Sequence, residues 1–210
     1  MSKESLDTPP RHETTRTTAT TNPWTITTER IAITGVLAAI TIILGVVPGL
    51  GFIPLPNAVG SATTEHIPTI LGGVIAGPLV GIVSGLVFGL LSFTRATVPF
   101  FKDPTVSILP RLFIGLVAWA VFAALARFNR DAAAALAGFL GSVTNTVLVV
   151  GMLLIRHYLP PVFVITVIPQ AIGEAIVAAL FTVVLARVFY ILEARLVRAP
   201  DTKPRDELPY

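Results

Sequence analysis

Seven side chains in this sequence have the chemistry to recognise a small polar molecule, and most stand where a polar group is expensive. Arg95 and Lys102 lie in one short stretch with Asp103, and Arg111 follows directly after Pro110. Asn145 is set in the run Gly141-Ser142-Val143-Thr144-Asn145-Thr146, while Gln170 and Glu174 are four residues apart and so share a face if the segment is helical. Asn57 lies in a proline-containing loop with Pro54 and Pro56. Arginine offers a two-pronged fit to a carboxylate, and amides serve neutral hydroxyl or amide groups. Each residue also has a plainer reading. Asn145 fits an interhelical hydrogen bond as well as a ligand contact, and Glu174 fits an ion pair to Arg111 or Arg95 as well as a site role. His66 reads as a satisfied helix-end histidine before a proton relay, and Arg156 and His157 as markers of a surface.

The chemistry that is missing narrows the class. There is no G-x-x-x-x-G-K-[ST] phosphate loop, no H-E-x-x-H and no G-x-S-x-G. The three histidines, His12, His66 and His157, are too scattered for a zinc site, and there are no cysteines. No cofactor or metal is expected, and the chain does not read as an enzyme. A binding and transport subunit, or a structural or scaffolding membrane protein such as a cell-shape or assembly factor, remains.

The elements that must position these residues are hydrophobic helices. The chain of 210 residues is 53% hydrophobic and 13% charged, with mean hydropathy +0.80. Soluble domains carry about 25% charged residues, and a chain this short cannot hide so much apolar surface in one core. The expected fold is an all-α integral membrane six-helix bundle, with spans at Ile31–Val47, Ala62–Val74, Gly77–Phe93, Ser107–Ala126, Ala132–Ile155 and Val162–Leu192. The second holds Glu65, His66 and Pro68, and must face protein or a cavity. Residues 1–28, threonine-rich and lacking a signal-peptide core, read as a disordered cytoplasmic tail, with Trp24 at the interface. Residues 29–194 form the membrane domain and residues 195–210 a cytoplasmic C-terminal tail.

The formal charge of +3 and pI near 9.7 do not imply nucleic acid, because the basic residues cluster at segment ends. With both termini cytoplasmic in the cell membrane, the inner side receives Lys3, Arg11, Arg16, Arg30, Arg127, Arg130, Arg187, Arg195, Arg198, Lys203 and Arg205. Only Arg95, Lys102, Arg111 and Arg156 fall outside, against the usual bias. Asp103 and Glu174 neutralise part of that charge. A ligand carboxylate would complete the pairing, which points to an anionic ligand held first by Arg111. Glycines recur every fourth residue at Gly77, Gly81, Gly85 and Gly89, a smooth ridge for close helix packing. Gly35 and Ala39 repeat the small-residue spacing once on the first span.

Several stretches together carry a resemblance: His66 through Pro78 (HIPTILGGVIAGP) running on to Ser92, Asp103-Pro104, Ile108 through Gly115 (ILPRLFIG), Thr144-Asn145-Thr146, and Ile168 through Glu174 (IPQAIGE). Over roughly residues 30–190 this resembles the substrate-binding S components of energy-coupling factor (ECF) vitamin transporters, of the broad pantothenate, folate and riboflavin type. The resemblance implies six helices with both termini cytoplasmic and a vitamin bound near the outer face under loops 1, 3 and 5. It also implies, besides membrane lipid, three partners: a transmembrane T component and two ATP-binding subunits. Members dock the T component through Ala-x-x-x-Ala on the first helix, where this chain has Gly35 and Ala39. An anionic vitamin, pantothenate before folate, is the expected substrate.

Overall fold

The structure is a computed structural model that describes residues 22–54 and 61–198, so Asn57, the N-terminal residues before Asn22 and the C-terminal tail after Arg198 lie outside the described residues. Helix α1 (Thr28–Val46) starts where Thr27 caps it, its side chain accepting from the Arg30 N–H at 3.2 Å. A two-stranded antiparallel hairpin follows, β1 (Phe52–Pro54) with β2 (Ser61–Thr63), in the register Phe52 to Thr63 and Ile53 to Ala62. Helix α2 (His66–Leu71) runs into a π-helical turn over Gly72–Ala76. Helix α3 (Pro78–Thr94) comes next, then a 3₁₀ turn at Pro99–Lys102, and the short α4 (Pro104–Ser107) leading into α5 (Leu109–Leu125). Helices α6 (Arg130–Ile155) and α7 (Val164–Arg198) complete the chain.

With α4 and α5 counted as one pass, these elements make the six-helix bundle expected from the sequence. Among the described residues, four helices are long and apolar enough to cross a membrane, and His66–Ala76 and Pro78–Thr94 are shorter apolar helices. The faces turned away from the bundle are apolar, with Ile31, Val36, Phe113, Val147, Leu180 and Val184 all exposed. Lipid is the environment that accepts such a surface. Inside, Ile70, Phe88, Ile114 and Ala118 are fully buried.

The glycines decide how closely α3 and α5 approach. A methyl on Gly81 would sit 2.9 Å from the Gly115 backbone, one on Gly89 would sit 2.9 Å from Ile108 Cα, and one on Gly85 would overlap the Arg111 carbonyl. Three of the four repeated glycines therefore form the contact face. Gly77 departs from the ridge: with φ +102° it ends the π-turn, and Pro78 then starts α3 as its first residue.

The remaining departures lie at element ends. The second span begins at His66 rather than Ala62, because Ala62 and Thr63 are committed to β2. Trp24 rests edge-on against Trp119 with ring centroids 5.9 Å apart, and so packs on the bundle as well as meeting solvent.

Candidate functional site

A cavity of about 410 Å³ opens at the end of the bundle that holds the hairpin, within the usual range for small-molecule sites of about 300–1,000 Å³. Its position follows from the length of the second pass. The eleven residues His66–Ala76 rise roughly 16 Å at 1.5 Å each, about half of a hydrocarbon core. The hairpin fills part of the other half, and the cavity lies beside it, lined by Gly45, Phe52, Thr63, Arg95, Asn145 and Glu174 among others.

Arg111 is the buried cation of this site. It is 3% exposed and lines the cavity from the first turn of α5. Its Nη1 donates to the Val106 carbonyl and its Nη2 to Ser92 Oγ at 3.3 Å. The guanidinium lies over the Phe88 ring at 5.2 Å and the Phe101 ring at 5.5 Å, both within the roughly 6 Å reach of a cation–π contact. Among the described residues its Nε has no acceptor and no ion pair reaches it. The Gly85 approach fixes this turn of α5 in place, since the Arg111 carbonyl occupies the space where a side chain would stand.

Across the cavity, α7 ties down the hairpin. Gln170 Nε2 donates to Glu174 Oε1 at 2.7 Å and to the Ser61 carbonyl at 3.0 Å, and the Thr63 N–H donates to Glu174 Oε1 at 3.0 Å. Glu174 thus pairs with neither Arg111 nor Arg95; it holds β2 and lines the cavity through the same carboxylate. Asn145, on α6, is 5% exposed and lines the cavity with Oδ1 unpartnered. An interhelical bond through that oxygen is therefore not formed among the described residues.

Five of the sequence candidates, Arg95, Arg111, Asn145, Gln170 and Glu174, meet in this one cavity. Lys102 does not line it; it is exposed at the end of the 3₁₀ turn. Asp103 does not neutralise the cavity cations either. Its Oδ2 accepts from Arg156 Nε at 2.9 Å and from Tyr158 Oη at 3.0 Å, joining the α3–α4 loop to the α6–α7 loop at the cavity's end of the bundle. Arg156 is half of that clasp rather than a bare surface marker.

Residues 29–186 match the family described as ECF transporter, substrate-specific component. The chain belongs to that family. Over 107 residues this S component is 33% identical to the pantothenic acid transporter PanT of Lactococcus lactis subsp. cremoris (strain MG1363), a match covering 41% of this chain and 53% of that protein. It thus spans about half the length of the curated relative it matches. Its fold is similar to a solved S component of a bacterial ECF transporter, at 20% identity and TM-score 0.56, over 78% of this chain and 96% of the other. Membership decides between the transport subunit and the scaffolding protein in favour of the former, and the family's proteins are binding components rather than enzymes.

Other parts of the S-component site escape a reading by charge. Phe101 and Phe88 supply the faces around Arg111, and Ser92 its side-chain acceptor. Ser92 ends the stretch from His66 that carries the family resemblance and sits three residues after Gly89, while for Phe101 its place directly before Lys102 was the available signal. Glu65, singled out only as costly, lies directly behind the cavity wall.

Proposed function

We propose that this S component captures an anionic vitamin, pantothenate before folate, in the cavity at the hairpin end, for import driven by a T component and two ATP-binding subunits. The observation that carries the reading is Arg111: a guanidinium buried in the cavity, braced on two rings, with one donor unused and no carboxylate in contact among the described residues. A buried charge without a partner is costly, and a ligand carboxylate removes the cost. Asn145 then meets a neutral hydroxyl or amide, Gln170 and Glu174 shape the opposite wall, and Arg95 adds positive charge at the mouth. The relative named a pantothenic acid transporter agrees in substrate class.

The cavity faces outward in this reading, with both termini cytoplasmic. Arg30, Arg127, Arg130, Arg187 and Arg195 gather at the opposite end, as cytoplasmic basic residues do. The T component packs on α1 at Gly35 and Ala39, which are exposed, with open space around the Gly35 backbone.

The test is Arg111→Gln, followed by pantothenate and thiamine titration of the purified protein. Loss of a buried charge-assisted bond is worth about 2–5 kcal/mol, so pantothenate affinity should fall roughly 30- to several-thousand-fold. Thiamine, a cation, should bind weakly or not at all to the unsubstituted protein. Unchanged pantothenate affinity in folded Arg111→Gln protein would remove Arg111 from the site.

A further inference from the structure

Helices α6 and α7 are tightly joined at one end and part at the other. Away from the hairpin, a methyl on Gly138 would come 2.7 Å from the Ala178 carbonyl and 2.8 Å from Ala179 Cα, and Ala134, Ala137 and Ala178 are buried there. Toward the hairpin end a second cavity, of about 370 Å³, opens between the same two helices as a groove. Pro169 lies in this stretch of α7, where it takes one backbone bond out of the helix. Gly151 leaves the α6 wall bare: a methyl added there would meet nothing within 4 Å.

The groove is walled by hydrocarbon. Phe139, Val147, Leu154, Ile168 and Ile172 line it, and among the described residues Thr146 is the one lining side chain with a polar atom. A ligand rich in charged or hydroxyl groups finds no partners here. Val147, Ile168 and Ile172 are all exposed, so the mouth lies on the face that the bundle turns to the membrane. Along α7 the groove runs from Val164 to Ala175, a rise of roughly 16 Å at 1.5 Å per residue, which matches the half of a 30 Å hydrocarbon core that one leaflet fills. Just beyond Leu154 come Arg156, His157 and Tyr158, all exposed and of the types that sit at headgroup level. The volume spread over that length leaves a channel narrower than the about 10–12 Å of an α-helix, so a chain of methylenes enters it and the body of a partner helix does not.

We propose that the α6–α7 groove is a binding site for one acyl chain of a membrane phospholipid, seated directly behind the wall of the ligand cavity. Thr146, Val150 and Val167 line both spaces, so a single layer of side chains separates them. The chain fills a gap that the two helices leave open and backs the α6–α7 side of the cavity wall. The site does not depend on which ligand the cavity takes, because its lining is apolar and the cavity's cations lie on the other side of that wall.

The experiment purifies the full-length chain in mild detergent, washes it free of bulk lipid, titrates it with dioleoyl phosphatidylcholine and counts bound lipid by native mass spectrometry. Gly151→Leu and Ala171→Leu fill the groove. Gly173→Leu is the control, on an exposed part of α7 with nothing within 4 Å and outside the groove. The expected result is one tightly held phospholipid on the unsubstituted protein and on Gly173→Leu, with affinity roughly tenfold lower in both groove variants, as when about two methylenes lose their burial. No tightly held phospholipid on the unsubstituted protein overturns the proposal, and so does equal affinity in the groove variants. A dimer that forms in place of the lipid adduct and is lost in the groove variants assigns the groove to a second copy and also overturns it. Failure of both groove variants to fold while Gly173→Leu folds overturns it as well, since the groove would then be closed by side-chain packing. None of these outcomes moves Arg111, so the anionic-ligand reading is decided separately by its own titration.

Discussion

Arg111 and Asp103 are both charged and only eight positions apart, yet the structure gives them opposite tasks. Arg111 turns inward and is left without an anion, while Asp103 faces a neighbouring loop and is fully engaged. Asp103 Oδ1 accepts from the Thr105 hydroxyl at 2.7 Å and the Thr105 N–H at 2.9 Å, capping α4, while Oδ2 holds Arg156 and Tyr158. These bonds, the Thr105 hydroxyl first, hold the Asp103 carboxyl down to about 2. The contribution of such a depressed carboxylate is present above its unfolded value near 4 and is lost as pH falls from there through 2. The clasp links the loop that carries Phe101, a cavity wall, to the end of α6. Asp103→Asn should therefore speed ligand dissociation severalfold with little change in association, measured by stopped-flow release. Dissociation from the unsubstituted protein should stay flat from pH 7 to about 4 as far as Asp103 is concerned. An unchanged dissociation rate in Asp103→Asn would show that the clasp does not retain ligand. Sequence spacing could not assign this partner, because Arg156 is 53 positions away and Lys102 and Arg95 are near neighbours.

Helices were legible where apolar runs are long and unbroken. The runs read as Ile31–Val47, Gly77–Phe93 and Ala132–Ile155 became Thr28–Val46, Pro78–Thr94 and Arg130–Ile155, shifts of at most three residues that follow from caps at Thr27 and Asn129 and the turn at Gly77. Pro68 and Pro110 sit in first turns, where a missing N–H is harmless, and so did not break their helices. The hairpin was not legible. Three-residue strands carry no periodicity, and β2 is held by Gln170 and Glu174, about 110 positions away, through bonds to backbone atoms that any sequence possesses. This hairpin makes the second pass short and leaves room for the cavity. The residue types lining the site were thus readable from cost alone, while the arrangement that makes Glu174 a hairpin anchor and Glu65 a hidden neighbour depends on packing across the whole bundle.

The whole molecule presents two functional ends and one free side. The cavity and the loop clasp share one end, and the opposite end carries the Asp131–Arg187 ion pair between α6 and α7. The outer face of α1, with Gly35, Val36, Ala39 and Ile40 exposed, is the flat strip proposed to meet the T component. Gly35→Trp or Ala39→Trp should leave ligand binding in the purified subunit nearly intact while abolishing uptake in cells that hold the complete transporter; uptake surviving both would relocate the docking face. The central claim, that the cavity is built around a cation for an anionic vitamin, is tested most directly by gentle purification of the unsubstituted protein and mass spectrometry of the small molecules it releases. A carboxylate vitamin, pantothenate first, should be recovered from the unsubstituted protein and be missing from folded Arg111→Gln. Recovery of thiamine or another cationic vitamin, with no carboxylate vitamin released, would contradict it.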